Sequence, residues 1–518
     1  MWLKSVTSIA ILLTLAGTSM AAPQFTSRAT HIEHQYLGGW EHFVGGGVAA
    51  FDCNNDQMPE LYLAGGTAPA TLLRNATSEP GADIDFKVMD VGAITGVTGA
   101  YPLNVNNDAH TDLVVLRVGE NRLFEGQGDC QFTRSDLLHG LEGDAWTTAF
   151  SATWEAGETL PTLAFGHYVD RNDPDGPFGT CDDNHVLRPH GERYEALTEL
   201  SPGFCALSIL FSDWSATGQQ DLRISNDRHY YLNDGQEQLW QFDANGAHRV
   251  TADEGWQKYQ IWGMGIASRD INFDGTPEVY LTSMGDQKLH SLDPEADGPT
   301  FTDAAFDKGI TAHRPYVGDD GRPSTGWHAA FGDVQNDGLD DIFVAKGNVD
   351  QMIGVAMHDP NNLLVQQPDG RFVEQGDAAG IASLDRSRGG ALIDLNRDGQ
   401  LDLVVNNRRA NVEIYQNTTA DTGDWLSIKL TQPGHNRDAI GAWIKLRTPV
   451  RTYSREITVG GGHAGGKLAP AHFGLGNQDT VELQVIWPDQ TMSDWHELDS
   501  NRSYSAMREE SRLLITPY

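Results

Sequence analysis

A nine-residue segment rich in carboxylates and amides recurs along the chain and limits what the chain can fold into. Its clearest copy places oxygen-bearing side chains at positions 1, 3, 5 and 9: Asp394, Asn396, Asp398 and Asp402. Gly399 stands at position 6, where a tight turn favours a residue that tolerates positive φ. An apolar strand, Leu403 to Val405, follows at once, whereas an EF-hand loop would continue into a helix. The segment therefore predicts a Ca²⁺-binding loop within a β-hairpin.

Four other segments keep oxygen atoms at the same positions, so we expect several Ca²⁺ ions per chain. Together the five segments supply these candidate ligands: Asp52, Asn54, Asp56, Glu60, Asn104, Asn106, Asp108, Asp112, Asp270, Asn272, Asp274, Glu278, Asp333, Gln335, Asp337, Asp341, Asp394, Asn396, Asp398 and Asp402. The segments that begin at residues 52, 270, 333 and 394 offer three carboxylates each and should bind best. The one that begins at Asn104 should follow, and a weaker copy from Asp213 to Asp221 should bind last.

The spacing of the copies predicts a propeller. They begin at residues 52, 104, 213, 270, 333 and 394, and an eroded seventh copy spans Trp154 to Leu163. The intervals of 50 to 63 residues each have room for about four short strands, which is one propeller blade. Seven copies therefore predict an all-β fold, a seven-bladed β-propeller whose closed ring protects its sheet edges.

The pattern changes after Asn417. Alternating apolar strands separated by Gly and Pro turns follow, for example Ile440 to Leu446 and Val481 to Trp487. They predict a small β-sandwich-like domain after the propeller. We therefore expect the propeller over residues 23–417, a polar linker over 418–423 and the second domain over 424–518.

The N-terminal residues 1–22 have the features of a secretory signal peptide: an early Lys4, a short apolar run and small residues up to Ala22. No later stretch approaches the ~20 apolar residues of a membrane span. The formal net charge of -36 argues against binding to nucleic acid or an anionic membrane, because both attract clusters of Lys and Arg. We therefore expect a secreted or periplasmic protein.

The four cysteines fit an oxidising compartment, where two disulfides are expected. A bond between Cys181 and Cys205 would close the longest insertion, and Cys53 and Cys130 would then join the first repeat to the second. Three pairings are possible from the sequence alone. No Cys-x-x-Cys spacing supports a metal-binding role for these thiols.

These motifs carry a family resemblance over nearly the whole chain after residue 22. The acidic repeats resemble the FG-GAP or VCBS repeats of integrin α-type propellers, with their calcium loops. The tail motifs Asn436 to Gly441, Gly460 to His463, His472 to Gly476 and Val485 to Pro488 resemble the ASPIC/UnbV domain. The combination is similar to the cartilage acidic protein-like family of bacteria, and this resemblance implies an exported, calcium-stabilised propeller. Members of that family are mostly extracellular binding or matrix-associated proteins, so we favour a protein that recognises an extracellular protein or polysaccharide through its loops.

One tail segment departs from the resemblance. ASPIC/UnbV domains usually carry an aromatic residue and then Ser-Gln after the glycines, where this chain has His463 to Lys467. This departure raises the question of what His463 does in this chain.

An enzyme is the alternative interpretation, since imidazole serves in metal sites and in acid/base catalysis. The histidines near Gly-rich stretches are His34, His42, His328, His463 and His472. Lys346 and Asn348 could face the central channel together with His328, where a propeller enzyme would assemble its site. The alternative function is a secreted carbohydrate lyase or hydrolase with its site in the channel or at the seam with the second domain.

Overall fold

The computed structural model describes residues 22–173, 179–227, 234–318, 320–510 and 512–518. The predicted signal peptide lies outside these residues except for Ala22. Within these residues, helix is confined to single turns: 3₁₀ helices at Trp40–His42, Ala252–Glu254 and Phe306–Lys308, and an α-helix, α1, at Gly376–Ala379. None of these described helices has the length or apolar character needed to cross a bilayer.

Seven four-stranded blades form the larger part of the described chain. Their strands begin with β1 (Phe25–Arg28), β2 (Val48–Phe51), β3 (Glu60–Leu63), β4 (Thr71–Asn75), β5 (Phe86–Met89), β6 (Val97–Leu103), β7 (Asp112–Arg117), β8 (Arg122–Gly126), β9 (Phe132–Arg134), β10 (Thr147–Thr153), β11 (Thr162–His167), β12 (Asn184–His190) and β13 (Arg193–Leu200). They continue with β14 (Ala206–Ser212), β15 (Asp221–Asn226), β16 (Gln238–Asp243), β17 (Gly246–Arg249), β18 (Gly263–Arg269), β19 (Glu278–Ser283), β20 (Lys288–Leu292), β21 (Phe301–Asp303), β22 (Gly326–Gly332), β23 (Asp341–Lys346), β24 (Asn362–Gln366), β25 (Phe372–Glu374), β26 (Arg386–Ile393), β27 (Asp402–Arg408) and β28 (Glu413–Asn417).

The blades close into a ring. The innermost strands β2, β6, β10, β14, β18, β22 and β26 each contact the next, and β26 contacts β2 again. The last blade has the order β1-β28-β27-β26, so the first strand of the propeller completes the blade that the last three strands build. Phe25 pairs with Asn417 and Arg28 with Ile414 in this closure. The fold-class prediction of an all-β propeller is confirmed.

The second domain is a sandwich of two four-stranded sheets. Its strands are β29 (Asp424–Thr431), β30 (Trp443–Arg447), β31 (Thr452–Glu456), β32 (Lys467–Leu468), β33 (Ala471–Gly476), β34 (Thr480–Ile486), β35 (His496–Asp499), β36 (Arg502–Glu509) and β37 (Arg512–Pro517). The sheet orders are β33-β29-β36-β37 and β31-β30-β34-β35, and β32 pairs instead with β2 of the propeller. Alternating residues such as Leu426, Ile444 and Leu483 are buried between the two sheets.

Residues 457–468, here named the channel segment, leave the sandwich and enter the centre of the propeller. Backbone hydrogen bonds join this segment to the innermost strands of five blades. The pairs are Ala152 N to Val459 O at 3.2 Å, Gly461 N to Ile209 O at 2.8 Å, Gly462 N to Ile266 O at 2.6 Å, Ala100 N to Ala464 O at 3.1 Å and Ala50 N to Gly466 O at 3.1 Å. The sandwich and the propeller therefore share one hydrogen-bonded centre, which the sequence did not predict.

The channel segment approaches the innermost strands so closely that side chains are excluded. A Cβ atom on Gly99 would lie 1.7 Å from the carbonyl oxygen of Ala464, and one on Gly47 would lie 1.8 Å from the same oxygen. Because these are backbone atoms held on both sides by hydrogen bonds, they have little freedom to move. Glycine is therefore required at both positions.

We expect Gly99→Ala to destabilise the protein by about 1–3 kcal/mol, the usual cost of overpacking. Gly354→Ala is the matched control, because Gly354 is exposed in a turn, a Cβ there meets no atom within 4 Å, and its φ lies outside the left-handed region. Urea unfolding of the two variants and the parent checks this. Equal midpoints for Gly99→Ala and the parent would show that the channel segment is not packed as described.

Candidate functional site

The predicted ligands lie in five loops at equivalent places in five blades. Each loop joins the innermost strand of a blade to its second strand: β2 to β3, β6 to β7, β18 to β19, β22 to β23 and β26 to β27. These five loops are named the oxygen-rich loops. All five share part of one hydrogen-bond pattern, which the loop that begins at Asp270 shows in full.

In that loop the side chains at positions 1, 3, 5 and 9 converge on one another. Asn272 Nδ2 donates to Asp274 Oδ2 at 2.9 Å and to Glu278 Oε1 at 2.7 Å. Glu278 Oε2 accepts from Ile271 N at 3.0 Å, Asp274 Oδ1 from Thr276 N at 2.8 Å, and Asp270 Oδ2 from Gly275 N at 3.1 Å. The backbone thus fixes one oxygen of each carboxylate and leaves the others on the inside of the loop.

Two of these bonds recur in all of the other four loops. The amide at position 3 donates to the carboxylate at position 5 from Asn54, Asn106, Gln335 and Asn396, at 2.7 to 3.1 Å. The acid at position 9 accepts from the backbone N–H of position 2 at Glu60, Asp112, Asp341 and Asp402, at 2.8 to 3.0 Å. The sequence repeat is therefore also a repeat of geometry.

At position 1 or position 3, each oxygen-rich loop holds one buried side-chain oxygen that has no hydrogen-bond partner among the described residues. These oxygens are Asp52 Oδ1, Asn104 Oδ1, Asp270 Oδ1, Gln335 Oε1 and Asn396 Oδ1. Two of the loops hold a second such oxygen, Asn336 Oδ1 at position 4 and Gln400 Oε1 at position 7. Buried polar atoms without a partner are rare, so an unsatisfied acceptor at position 1 or 3 of all five loops fits a bound cation.

Crowding raises the pKa of the loop acids. Burial, together with repulsion from Asp274, raises the pKa of Asp270 and of Glu278 to about 7. Burial and repulsion from Asp398 likewise raise the pKa of Asp394 to about 7. Burial, with repulsion from neighbouring acids, raises the pKa of Glu60 to about 8. A divalent cation would offset this repulsion.

The loop backbones contain a feature that the sequence did not reveal. Position 4 is left-handed in all five loops, at Asn55, Asn107, Phe273, Asn336 and Arg397, with φ between 58° and 65°. Position 6 is left-handed as predicted at Gly275, Gly338 and Gly399, and also at Gln57. Asparagine tolerates this conformation and stands at position 4 in three of the five loops. This recurrence of asparagine could have indicated the left-handed position from the sequence.

In the two weakest copies, protein side chains pair with the acids where a metal ion would otherwise bind. Asp221 accepts from Trp214 Nε1 at 2.7 Å and from Gln241 Nε2 at 3.0 Å. In the eroded copy Glu155 pairs with Arg188, whose Nε donates to Glu155 Oε1 at 2.7 Å. Although burial alone would raise the pKa of Glu155, hydrogen bonds from Arg188 and Thr162 lower it.

The four cysteines form two disulfides, Cys53–Cys130 and Cys181–Cys205, so one of the three possible pairings is realised. Glu60 lies beside the first of them, and Cys53, Cys130 and Glu60 have potential metal-binding atoms within 4.8 Å of one another. Because both sulfurs are bonded in the disulfide, no thiolate is available there. This group therefore does not form a transition-metal site.

The sandwich sits on the oxygen-rich loops. His472 Nε2 lies 3.0 Å from Gly399 O, and Arg451 Nη1 donates to Gly338 O at 2.8 Å. Arg437 Nη1 donates to Asp108 O at 2.6 Å, and Gly476 N donates to Asn336 O at 2.8 Å. Loop geometry and docking of the second domain therefore depend on the same backbone groups.

The channel segment buries His463 at the centre of the ring. Its Nδ1 donates to Met264 O at 3.0 Å, and its Nε2 accepts from Gly45 N at 3.0 Å. Its own N–H donates to His328 Nδ1 at 3.1 Å. A ring that donates at one nitrogen and accepts at the other is neutral. His463 therefore packs the channel through fixed hydrogen bonds.

The other residues of the predicted catalytic group bond elsewhere. Lys346 Nζ donates to Ala312 O at 3.1 Å and lies 3.6 Å from Asp359 Oδ1. Asn348 Nδ2 donates to Met352 O and Ala356 O at 2.9 and 3.1 Å, which closes a turn. His34 contacts Thr71 Oγ1 and Ala64 O at 2.9 and 3.0 Å, and His42 is buried. Of this group, the hydrogen bonds above join only His328 and His463.

Acid should weaken the fold through His463. Burial lowers its pKa to about 4, with a further contribution from Arg388, and the buried His328 beside it has its pKa lowered to about 3. The unfolded chain then binds more protons than the folded one between pH 4 and 6.5, so stability falls as the pH falls through this window. The loss expected for His463 alone is about 3 kcal/mol.

Denaturant unfolding at several pH values, with Ca²⁺ held constant, measures this slope. His463→Asn should lower the free energy of unfolding near neutral pH. It should also reduce the dependence of that free energy on pH by the amount that corresponds to about one bound proton. His435→Asn, a change of the same type at an exposed residue, should leave the slope as it is. An unchanged slope in His463→Asn would contradict a neutral His463 in the folded protein.

Comparison with known proteins agrees with this architecture. The sequence profile of the ASPIC and UnbV family matches residues 432–512, and that of the FG-GAP-like repeat matches residues 333–405. Cartilage acidic protein 1 of Mus musculus is 23% identical over 93% of this chain and 74% of its own length. The Homo sapiens protein of that name is 22% identical over 93% of this chain and 72% of its own length.

Among solved structures, BBS1N in complex with ARL6DN is 11% identical with a TM-score of 0.43, over 74% of this chain and 98% of its own. A six-bladed fungal lectin from Aleuria aurantia is 11% identical with a TM-score of 0.35, over 64% of this chain and 94% of its own. Scores this low carry no argument about function. Residues 333–405 are an FG-GAP-like repeat and residues 432–512 an ASPIC and UnbV domain, in a chain that is similar to cartilage acidic protein 1 over 93% of its length.

Proposed function

We propose that this chain is an exported, calcium-binding recognition protein for an extracellular protein or polysaccharide. The observation that supports recognition over catalysis is the filled channel. The channel segment hydrogen-bonds to the innermost strands of five blades and covers His328, the residue around which a channel site was expected. The similarity of the whole chain to cartilage acidic protein 1 also supports recognition.

Ca²⁺ would bind in the five oxygen-rich loops, through the side chains at positions 1, 3, 5 and 9. The unpartnered oxygens and the crowded carboxylates fit an oxygen-seeking divalent ion. In the loop at Asp270, the amide nitrogen of Asn272 lies between two carboxylates, and a rotation of the amide would present its oxygen to the same point. The ion would neutralise charge and fix the loop, a structural role.

Calcium would also support the second domain. His472, Arg451 and Arg437 bond to backbone oxygens of three oxygen-rich loops. A loop that loses its ion would release these contacts and loosen the channel segment. Export is supported by the two disulfides, which persist in oxidising compartments.

Removal of Ca²⁺ should lower the melting temperature reversibly, since a ligand that binds only the folded state stabilises it. Asp274→Ala should reduce the bound calcium by about one ion per chain, because one loop loses its position 5 carboxylate. Asp297→Ala, an exposed aspartate outside the oxygen-rich loops, is the matched control. Metal analysis and thermal unfolding with EDTA and with restored Ca²⁺ provide both measurements.

No bound calcium in the purified parent protein, together with an EDTA melt that equals the calcium melt, would contradict the assignment. Equal calcium content in Asp274→Ala and the parent would contradict the placement of an ion in that loop. The control separates loss of a ligand from loss of general negative charge.

Recognition can be separated from catalysis in one assay. The calcium-loaded protein is applied to arrays of extracellular polysaccharides and matrix proteins, and bound polysaccharides are then analysed for chain length and new reducing ends. We expect saturable binding with intact chains. New reducing ends or unsaturated sugar products would instead support the carbohydrate-active enzyme, with its site at the domain seam.

A further inference from the structure

Three arginines meet on one carboxylate at the face of the propeller that lies away from the sandwich, here named the open face. Asp350 Oδ1 lies 3.1 Å from Arg386 Nη1, 3.3 Å from Arg408 Nη2 and 3.2 Å from Arg409 Nη1. Arg386 begins β26 and Arg408 ends β27, so both stand at the strand ends opposite to the oxygen-rich loop that joins these strands. The three arginines and Asp350 are named the arginine cluster.

The arginine cluster holds more positive charge than its acid can neutralise. Arg386 and Arg408 are directly opposite each other in the pairing of β26 with β27, and like charges at such positions destabilise a sheet. Among the residues that the structure describes, Asp350 is the only acid in an ion pair with these arginines. Three cations against one carboxylate leave an excess of two positive charges.

The other acids nearby do not balance this excess. Glu413 Oε2 accepts from Asn407 Nδ2 at 3.0 Å, and Asn407 precedes Arg408 in β27, so Glu413 lies on the opposite face of the sheet. Burial, with repulsion from Asp385 among the further causes, raises the pKa of Glu413, which places Asp385 on that side as well. Two more acids pair with other arginines: Glu41 with Arg171 at 2.8 Å, and Asp320 with Arg322 at 3.2 Å.

A ligand can reach the arginine cluster from solvent. The side chains of Arg409 and Arg386 are 44% and 24% exposed, whereas that of Arg408 is fully buried. Among the described residues, Arg386 donates only to Asp350, and Arg409 contacts only Asp350 and Gly38 O, the latter at 3.4 Å. A guanidinium group has five N–H donors, so both exposed arginines keep donors for a second acceptor.

Large apolar side chains stand exposed beside the cluster. Ile353, on the loop that carries Asp350, is 82% exposed, and its neighbour Met352 is exposed as well. Leu384, two residues before Arg386, is a third exposed apolar side chain. Methionine and arginine are enriched in surfaces that bind proteins, and grouped apolar side chains mark such surfaces. The open face therefore combines unpaired donors with apolar surface.

The charge of the whole chain limits which partner fits this surface. With a formal net charge of -36, most of the molecule repels an acidic partner, and the arginine cluster is a local region of the opposite sign. Repulsion elsewhere and attraction here together favour one docking position. A chain of acidic sugars would satisfy the arginines but would offer little to Ile353. A peptide that carries both acidic and apolar side chains would satisfy both.

We propose that the open face binds a protein segment that presents carboxylates next to apolar side chains. The carboxylates accept from the guanidinium groups of Arg386 and Arg409, which suit bidentate contacts. The apolar side chains pack on Ile353, Met352 and Leu384. The inference rests on the proposed recognition function and deepens it, because it names the partner as a protein with an acidic, apolar segment.

The test is selection of phage-displayed random peptides on the calcium-loaded mature protein. We expect the selected sequences to be enriched in Asp or Glu next to Leu, Ile or Phe. A synthetic peptide with the enriched sequence is then titrated against the protein by fluorescence anisotropy. Polygalacturonate is the second probe, since it carries carboxylates without apolar side chains.

Substitutions within the surface should weaken binding of the selected peptide. Arg386→Gln, Arg409→Gln and Ile353→Ser should each do so at least about fivefold. Arg134→Gln is the control for charge, because Arg134 of β9 is as exposed as Arg409 and also pairs with an acid. Val450→Ser is the control for apolar surface, because Val450 is an exposed aliphatic residue of the sandwich. Both controls should bind the peptide like the parent.

A thermal melt of each variant identifies any that fails to fold. Arg409→Gln and Ile353→Ser change the more exposed positions, so they keep the test decisive if Arg386→Gln is lost.

Three results would overturn the proposal. The first is a selection that enriches no sequence, or only sequences without acids. The second is equal affinity for the selected peptide in the parent and in Arg409→Gln. The third is binding of polygalacturonate that Arg409→Gln loses while the peptide binds both proteins alike, which would identify an acidic polysaccharide as the ligand of the cluster.

Failure of this inference differs from failure of the recognition function. If the parent and Arg409→Gln bind the same molecules on the arrays of extracellular proteins and polysaccharides, recognition stands and its site lies away from the open face. If the parent binds nothing on the arrays, the recognition function fails, and the inference that rests on it fails with it.

Discussion

Backbone hydrogen bonds between the channel segment and the innermost strands hold this molecule together. Buried N–H and C=O groups need partners, and strands that face a propeller axis have an edge with no neighbour of their own. Here the partner comes from the sandwich domain, through Val459, Gly462, Ala464 and Gly466. Such close contact requires glycine on both sides, and this explains why the segment is so rich in it. Propeller and sandwich are therefore one structural unit.

The oxygen-rich loops support the same unit from outside the channel. Their side chains point inward toward a shared point, while their backbone carbonyl groups point outward and accept hydrogen bonds from the sandwich. Each loop thus has crowded carboxylates on its inside, and three of the loops have backbone oxygens on their outside that bind the sandwich domain. Where a blade lacks the oxygen pattern, the Glu155–Arg188 ion pair satisfies the acid without a metal.

The repeat, the propeller class and the β character of the tail could be predicted because they depend on residues close in sequence. A loop and its two flanking strands span only 16 to 23 residues. The spacing of Asp270, Asn272, Asp274 and Glu278 already encodes their convergence. The path of the channel segment could not be predicted, since Gly-rich stretches have no period and its partners lie more than 150 residues away. The same separation hides the position of Arg408 beside Phe43.

The closure of the last blade and the channel segment together impose an order on assembly. Strand β1 can pair only once β28 has been made, because Phe25 pairs with Asn417. The ring therefore cannot close until nearly four hundred residues after β1 have been synthesised. The centre of the ring is filled only by residues 457–468, which follow strand β31 of the sandwich domain and pair with β2 of the propeller. A chain that emerges from its N-terminus therefore forms the strands of all seven blades before residues 457–468, which complete the centre of the ring, become available.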